Sequence, residues 1–325
     1  MTVATVQRAH LTARFEAGCA ATLDELVPLY YERPAEGLPA HVRSGSALRR
    51  LGDRLVIVQD DVQALAVRDA RGVVRPVLLP PHPSGHRVFD DTLGNKHEKL
   101  DLEAGVVLSD GRLVAFGSGS LPAREQLVVW GGDDAPVLVA AGALYRELRA
   151  TVVEPGERLN IEGAVMSASR LQLFHRGNDT RVAGREPMSA IAELDAAAFS
   201  SWLDGRAPLP AVTRVTTVDL GHERGVPFGF TDAVAVDDER IVVLACAEAA
   251  ASAIDDGIVL GCRVGLLAEG ALTMVEVREA SGSRTTLKLE GIELRPGFVT
   301  EFDVAVDADQ PAAPALLGHL KWEWR

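Results

Sequence analysis

Cysteine is nearly missing. Three residues, Cys19, Cys246 and Cys262, make an odd count with neither a CxxC nor any Cys/His spacing, which argues against a disulfide framework and against a structural zinc site, and leaves them as small buried hydrophobes. Positive charge is also short. Lys plus Arg number 33 against 46 Asp plus Glu, and the net −13 would repel a polyphosphate backbone, so no nucleic-acid partner is expected. No uninterrupted apolar run approaches the roughly 20 residues that span a bilayer, so no membrane partner is expected either. The first ten residues, MTVATVQRAH, lack a basic segment followed by an apolar one and lack a small-residue cleavage site. Nothing there marks the chain for export, and it reads as cytoplasmic. A GxSxG elbow and an HExxH pair are missing as well.

What the chain does have is glycine (30), proline (17), a hydrophobic fraction of 47 %, ample for a large core, and a repeat. Four stretches share one pattern: SALRRLGDRLVIV from Ser46, EAGVVLSDGRLVAF from Glu103, EGAVMSASRLQLF from Glu162 and DAVAVDDERIVVL from Asp232. In each, a polar lead residue precedes an arginine (Arg54, Arg112, Arg170, Arg240) by 8, 9, 8 and 8 positions, the extra one being Gly111 in a Ser-Asp-Gly turn. Alternating apolar residues around a polar turn make each unit a β-hairpin. A fifth, looser copy starts at Glu290. The leads are 57, 59, 70 and 58 residues apart, which suits four-stranded blades with generous loops. The expected fold is all-β, a single five-bladed β-propeller domain over residues 1–325. The long interval holds one short inserted helix, capped by Asp195, with Phe199, Trp202 and Leu203 on one face and Gly205 ending it. Closure should pair residues 6–15 with strands near 316–322, since joining the first and last blades removes exposed edges.

In such a ring the innermost strands line a central channel, so Ser46, Glu103, Glu162, Asp232 and Glu290 should converge. Several carboxylates on one axis repel and raise each other's pKa values unless a cation sits among them. Hard oxygen ligands on a rigid frame suit calcium, which takes roughly 6–8 oxygens. Asp101, Asn160 and Lys288, two residues earlier on three of these strands, should face the same channel. A lysine there could take over part of the cation's charge.

A second group sits at the hairpin ends. Lys96 and Lys99, then Ser118, Ser120 and Arg124, then Arg176 and Asn178, bring Gly/Ser backbone and cations to positions flanking the ring, and could form a positively charged funnel for an oxyanion. Asp60, Asp61, Glu248, Asp307 and Asp309 stand at similar ends and could supply a general base.

Several segments resemble those of a bacterial family known only as a domain of unknown function: NKHEKLDLEA at 95–104, FGSGS at 116–120 with Arg124, LNIEG at 159–163 with Arg176 to Asn178, GFTDA at 229–233 and KLEG at 288–291. The resemblance covers nearly all of the chain beyond residue 40 and implies a β-propeller with no established activity. More distantly, the ring is similar in residue type and blade order to that of calcium-activated, apyrase-like nucleotidases, five-bladed propellers whose axial Ser and Glu residues hold calcium. Asp in place of one ring residue departs from that pattern. Phytase-like and gluconolactonase-like propellers are further calcium-bearing analogues, although a shared fold transfers no reaction.

The resulting expectation is a calcium-dependent hydrolase of a small anionic molecule, first a phosphate ester or phosphoanhydride. Ser46, Glu103, Glu162, Asp232 and Glu290 would hold the metal. Lys96, Lys99, Ser118, Ser120, Arg124, Arg176, Asn178 and Lys288 would bind substrate, and Asp101 or Asp60 would orient water. Lactone or ester hydrolysis on the same metal is the alternative within enzymes. The alternative outside them is a non-catalytic propeller binding a protein or carbohydrate.

Overall fold

The computed structural model describes residues 5–178, 186–249 and 257–324. Two strands, β1 (Gln7–Thr12) and β2 (Arg14–Pro28), precede the repeats. The first repeat is an antiparallel sheet of β3 (Gly45–Leu51), β4 (Arg54–Gln59), β5 (Ala64–Arg68) and β6 (Val74–Leu78), and the second one of β7 (Leu102–Val107), β8 (Leu113–Gly117), β9 (Gln126–Trp130) and β10 (Val137–Ala140). After helix α1 (Gly142–Val152) come β11 (Ile161–Met166), β12 (Arg170–His175), β13 (Ser189–Asp195), helix α2 (Ala196–Leu203) and β14 (Arg214–Asp219). Short β15 (His222–Glu223) leads into β16 (Val226–Ala235), β17 (Ile241–Ala249), β18 (Ile258–Ala268) and β19 (Ala271–Glu279). The chain ends with β20 (Lys288–Leu294), β21 (Glu301–Asp307) and β22 (Leu316–Lys321).

The fold is all-β and propeller-like. The first strand of every repeat packs against the first strand of the next, β3 on β7, β7 on β11, β11 on β16, β16 on β20, and β20 back on β3. Glycine makes two of these approaches possible. A Cβ on Gly163 would lie 3.2 Å from the Asp232 backbone, and one on Gly291 2.9 Å from that of Ala47. The repeated arginines fall where the hairpins require them, Arg54 and Arg170 opening their strands and Arg112 and Arg240 one residue before theirs. Gly111, at φ +86°, supplies the left-handed residue in the turn that is one longer.

Closure differs from the expectation. It is β2, not residues 6–15, that pairs antiparallel with β22, Thr22 facing Lys321 and Asp24 facing His319, while β1 runs parallel to β14 at the far edge of the third repeat. β2 also runs parallel to β19, which joins the last two repeats into one nine-stranded sheet. The cores lie between neighbouring sheets. Phe174 of β12 and Phe230 of β16 meet edge to face at 5.2 Å, and Phe116 stacks on Phe199 of α2 at 6.0 Å.

Helix α2 forms as expected, with the Asp195 carboxylate accepting the Ala198 N–H at 2.7 Å and Gly205 at φ +70° beyond its end. The expectation of one helix is corrected by α1. Its N-cap is Ala141, which offers no side-chain acceptor, so it lacks the usual start signal. It is held instead by buried Leu144, Tyr145 and Leu148, and the Tyr145 hydroxyl donates to Gly117 O at 2.6 Å. The cysteine reading is corrected too. Cys246 and Cys262 are bridged, facing each other across β17 and β18 with Cα atoms 4.2 Å apart, while Cys19 is free and exposed. Sixteen residues separate them in sequence, a spacing that means nothing until the strands pair.

Candidate functional site

Every first strand carries a β-bulge. The pairing register slips between Gly45 and Ala47, Leu102 and Ala104, Ile161 and Gly163, Phe230 and Asp232, and Leu289 and Gly291. The extra residues are therefore Ser46, Glu103, Glu162, Thr231 and Glu290. A bulge bends the strand and re-aims its extra side chain, and here it turns one polar group per repeat toward the axis. Carboxylate oxygens of Glu103, Glu162 and Glu290 lie within 4.8 Å of one another, and so do those of Asp60, Asp101 and Glu103.

The fourth ring position is thus Thr231, whose hydroxyl donates to Leu289 O at 2.6 Å, and Asp232 is not a member. Asp232 is fully buried one residue further on, where both of its oxygens bind the Arg49 guanidinium, at 2.7 and 2.9 Å. Arg49 also donates to Leu48 O and Gly105 O, to Ala164 O at 2.9 Å, Ala233 O at 3.0 Å and Ile292 O at 3.2 Å. These five carbonyls come from the five first strands. A guanidinium therefore fills the channel at this level. Burial works against its charge, Asp232 outweighs that effect, and its pKa ends raised.

Beyond this plug the channel opens into a polar cavity of about 330 Å³. It is lined by Asp60, Asp101, Lys96, Lys99, Arg124, Arg176, Asn178 and Lys288 together with Ser46, Glu103, Glu162 and Glu290. Ser118 and Ser120 are not on the wall but buried behind it. Ser118 Oγ donates to Asp101 and lies 2.8 Å from Ser120 Oγ, which in turn accepts from Arg124 at 2.8 Å.

The positive funnel that was expected is instead an ion-paired wall with an acidic excess, eleven Asp and Glu against six Lys and Arg. Lys99 binds Asp60 and, at 2.6 Å, Asp101. Arg124 binds Asp101 at 2.8 Å, and Arg176 spans Glu162 at 3.3 Å and Glu248 at 2.5 Å. Lys288 lies 3.3 Å from Glu290 and 3.1 Å from Asp309, and Lys96 binds Asp91 at 3.2 Å. Arg43 pairs with Asp61 at 2.5 Å and Asp90 at 3.2 Å. Asn178 accepts from the Asn160 amide, which also donates to Glu162 at 2.6 Å. Glu103 makes no ion pair among the described residues.

Burial raises the Glu103 and Glu290 carboxyls well above the ordinary range, and neighbouring acids add to it, Asp60 foremost for Glu103 and Glu162 for Glu290. Glu162 is raised by burial in spite of Arg176. Asp101 goes the other way. Burial would lift it, but Lys99 and Arg124 hold it at about 2, which leaves it a poor general base. The groups poised nearer neutrality are Asp61, pushed by burial and Asp60 to about 7, and Asp307, pushed by burial to about 8.

Residues 41–321 match a family described as "Family of unknown function (DUF6929)". The chain belongs to that family. No curated protein sequence is significantly similar to this DUF6929 member. Among solved structures it is similar to a protein of unknown function from Dyadobacter fermentans, at 11 % identity and TM-score 0.45 over 94 % of this chain and 100 % of that one. It is also similar to catalytically inactive virginiamycin B lyase from Staphylococcus aureus with quinupristin, at 9 % and 0.40 over 90 % and 84 %. A third is the Pan2 WD40 domain of Neurospora crassa, at 8 % and 0.37 over 86 % and 76 %. Scores this low leave the architecture to be read from the sheets themselves.

Sequence reasoning missed Arg49, Thr231 and Arg43 at this site. For Arg49 a signal exists, since three of its four repeat counterparts, Val106, Val165 and Val234, are uncharged.

Proposed function

We propose that the chain is a five-bladed β-propeller whose acid-lined mouth binds a divalent cation, calcium first, and through that ion a small anionic substrate, making it a metal-dependent hydrolase of phosphate esters or phosphoanhydrides. One observation carries the reading, the convergence of Glu103, Glu162 and Glu290 within 4.8 Å at three equivalent bulges. Two buried atoms suit a cation as well. Asp60 Oδ1 accepts no hydrogen bond, and neither does Glu290 Oε1, although Lys288 stands 3.3 Å away. Glu103, Glu162 and Glu290 would hold the ion, with Asp60 beside it. The likeness in kind to apyrase-like nucleotidases belongs to this proposal, now with Thr231 where that ring was expected to carry Asp232.

Bound calcium would supply charge to polarise a phosphoryl oxygen. Asp60 and Asp61 would position water and take its proton, in place of the saturated Asp101. Substrate charge would be met mainly through the ion, because each wall cation already has a carboxylate partner. That same pairing favours a second reading, a non-catalytic propeller in which the ion pairs lock its blades together. The Cys246–Cys262 bridge favours an oxidising compartment over the cytoplasmic setting expected from the N-terminus.

The test is thermal unfolding of the full chain with calcium, magnesium, manganese or chelator, followed by a phosphatase and esterase panel. A ligand at 100 times its Kd stabilises by about 2.7 kcal/mol. Calcium should raise Tm by a few degrees in the wild type and not in Glu103→Gln. No Tm response to any of the ions sinks the cation reading. A response without turnover on the panel leaves the non-catalytic one.

A further inference from the structure

A second cluster lies far from the channel, where the N-terminal strand closes the ring. His319 of β22 faces Asp24 of β2 and is itself buried, at 4 % exposure. Its Nε2 is 2.8 Å from Glu301 Oε2. A carboxylate only accepts, so Nε2 carries a proton, and in the neutral ring a metal would bind, the lone pair is on Nδ1. That lone pair points at Asp24 Oδ1, 3.4 Å away, and Glu25 Oε2, 3.6 Å away. The three atoms all lie within 4.8 Å of one another, and His319 Nδ1 and Asp24 Oδ1 are both buried without a hydrogen-bond partner.

These separations are poor for hydrogen bonds. They suit a tetrahedral ion, because bonds of about 2.0–2.1 Å place ligand atoms roughly 3.3–3.4 Å apart. The backbone is bent to make the cluster. The register of β2 on β22 slips between Asp24 and Val27, and Glu25 sits at φ +52°, a left-handed conformation unusual for a side chain of its type. Glu301 behind the imidazole occupies the place of the outer carboxylate that orients a metal-bound histidine. The remaining charges do not fill the centre. Lys321 lies 3.0 Å from the other Asp24 oxygen, and Arg295 is 3.8 Å from Glu25 but 2.8 Å from Asp303.

The geometry points to a divalent transition-metal site, zinc first, held by Asp24 Oδ1, Glu25 Oε2 and His319 Nδ1, with Glu301 orienting the histidine and a fourth position open to water. One imidazole with two carboxylates selects a borderline ion over calcium, so this site is chemically distinct from the channel mouth. Two of its ligands come from β2, the strand that closes the ring, and the third from β22. Bound metal would therefore clip β2 to β22.

Full-length protein carrying Cys19→Ser, to remove the exposed thiol, is stripped with chelator and titrated with zinc against a chromophoric competitor. Cobalt substitution reports geometry through its visible absorption. One zinc per chain is expected, with tetrahedral cobalt bands. The affinity should be unchanged in Glu103→Gln, about 10–100-fold weaker in Glu301→Gln, and at least that much weaker in Glu25→Gln and His319→Asn. Glu25 is largely exposed, so its variant decides the matter if the buried histidine variant does not fold. No zinc bound by the Cys19→Ser protein, undiminished affinity in Glu25→Gln, or loss of zinc in Glu103→Gln would each overturn the assignment.

Discussion

Replacing Asp61 by Asn should make the protein more stable at pH 8 and leave it nearly unchanged at pH 4. Asp61 is 8 % exposed, its Oδ1 accepts no hydrogen bond, and burial together with Asp60 raises its carboxyl from 3.8 to about 7 against the pull of Arg43 and Lys99. Below pH 4 the folded and unfolded chains both hold the proton, and the group contributes nothing. Between about 4 and 7 only the folded chain keeps it, so stability falls as pH rises, and above 7 the loss is complete. At 1.36 kcal/mol per pKa unit the full penalty is ~4 kcal/mol, and water in the open funnel trims it to about 2–4 kcal/mol. Asparagine removes the charge but keeps an oxygen for Arg43, which also retains Asp90 at 3.2 Å. Urea unfolding of both proteins at pH 4, 6 and 8 is the assay. Asp307 and Glu293, raised to about 8 and 7, slope the wild-type curve the same way, so the quantity to read is the difference between the two proteins. Parallel curves, with the variant equally displaced at every pH, would refute the argument.

Arg49→Met should cost about 3–5 kcal/mol, because it strands a fully buried Asp232 and five carbonyls; the double variant Arg49→Met with Asp232→Leu should recover part of that in the same unfolding assay. Reducing the Cys246–Cys262 bridge, which closes a loop of 16 residues, should cost about 3 kcal/mol, read as a lower Tm with reductant in wild type but not in a Cys246→Ala, Cys262→Ala variant. Asp195→Ala removes the acceptor for Ala198 N–H and should destabilise α2 by about 1 kcal/mol, read by chemical unfolding, while any calcium response stays intact.

The repeat was legible because hairpins leave a periodic mark. The turn arginines and the alternating strands stand at nearly constant spacing, and all four expected hairpins are present. Twelve of the residues expected at the site do line one cavity, because strand position alone fixes which end of a sheet a hairpin end reaches. Pairings set by the third dimension were not legible. The disulfide joins residues that only β17–β18 pairing brings opposite, and the closing strand is β2 because residues 7–12 are taken up by β14. The sign of the funnel's charge was hidden for the same reason. Lys99, Arg124 and Arg176 read as cations until each is seen against its own carboxylate.

The exchange of Thr231 for Asp232 has a single cause that bears on any ligand. A bulge adds one residue and flips every side chain beyond it to the other face. Counting back from the turn arginine gives 8 positions to Asp232, yet the bulge in β16 falls 9 positions back, as it does for Glu103 in β7. The acid one step closer to the turn is carried away from the mouth and meets Arg49, the cation that gathers a carbonyl from each of the five first strands. Of the five bulge residues the mouth keeps three glutamates and the Ser46 hydroxyl, while the Thr231 hydroxyl is buried against Leu289 O. With the guanidinium filling the channel beneath them, a ligand for those glutamates has to arrive from the mouth side, past Asp60, Asp61 and Arg43. A cation arriving there has to displace the protons of Glu103 and Glu290, whose carboxyls burial raises well above the ordinary range, so calcium titrations should show binding that strengthens as pH rises.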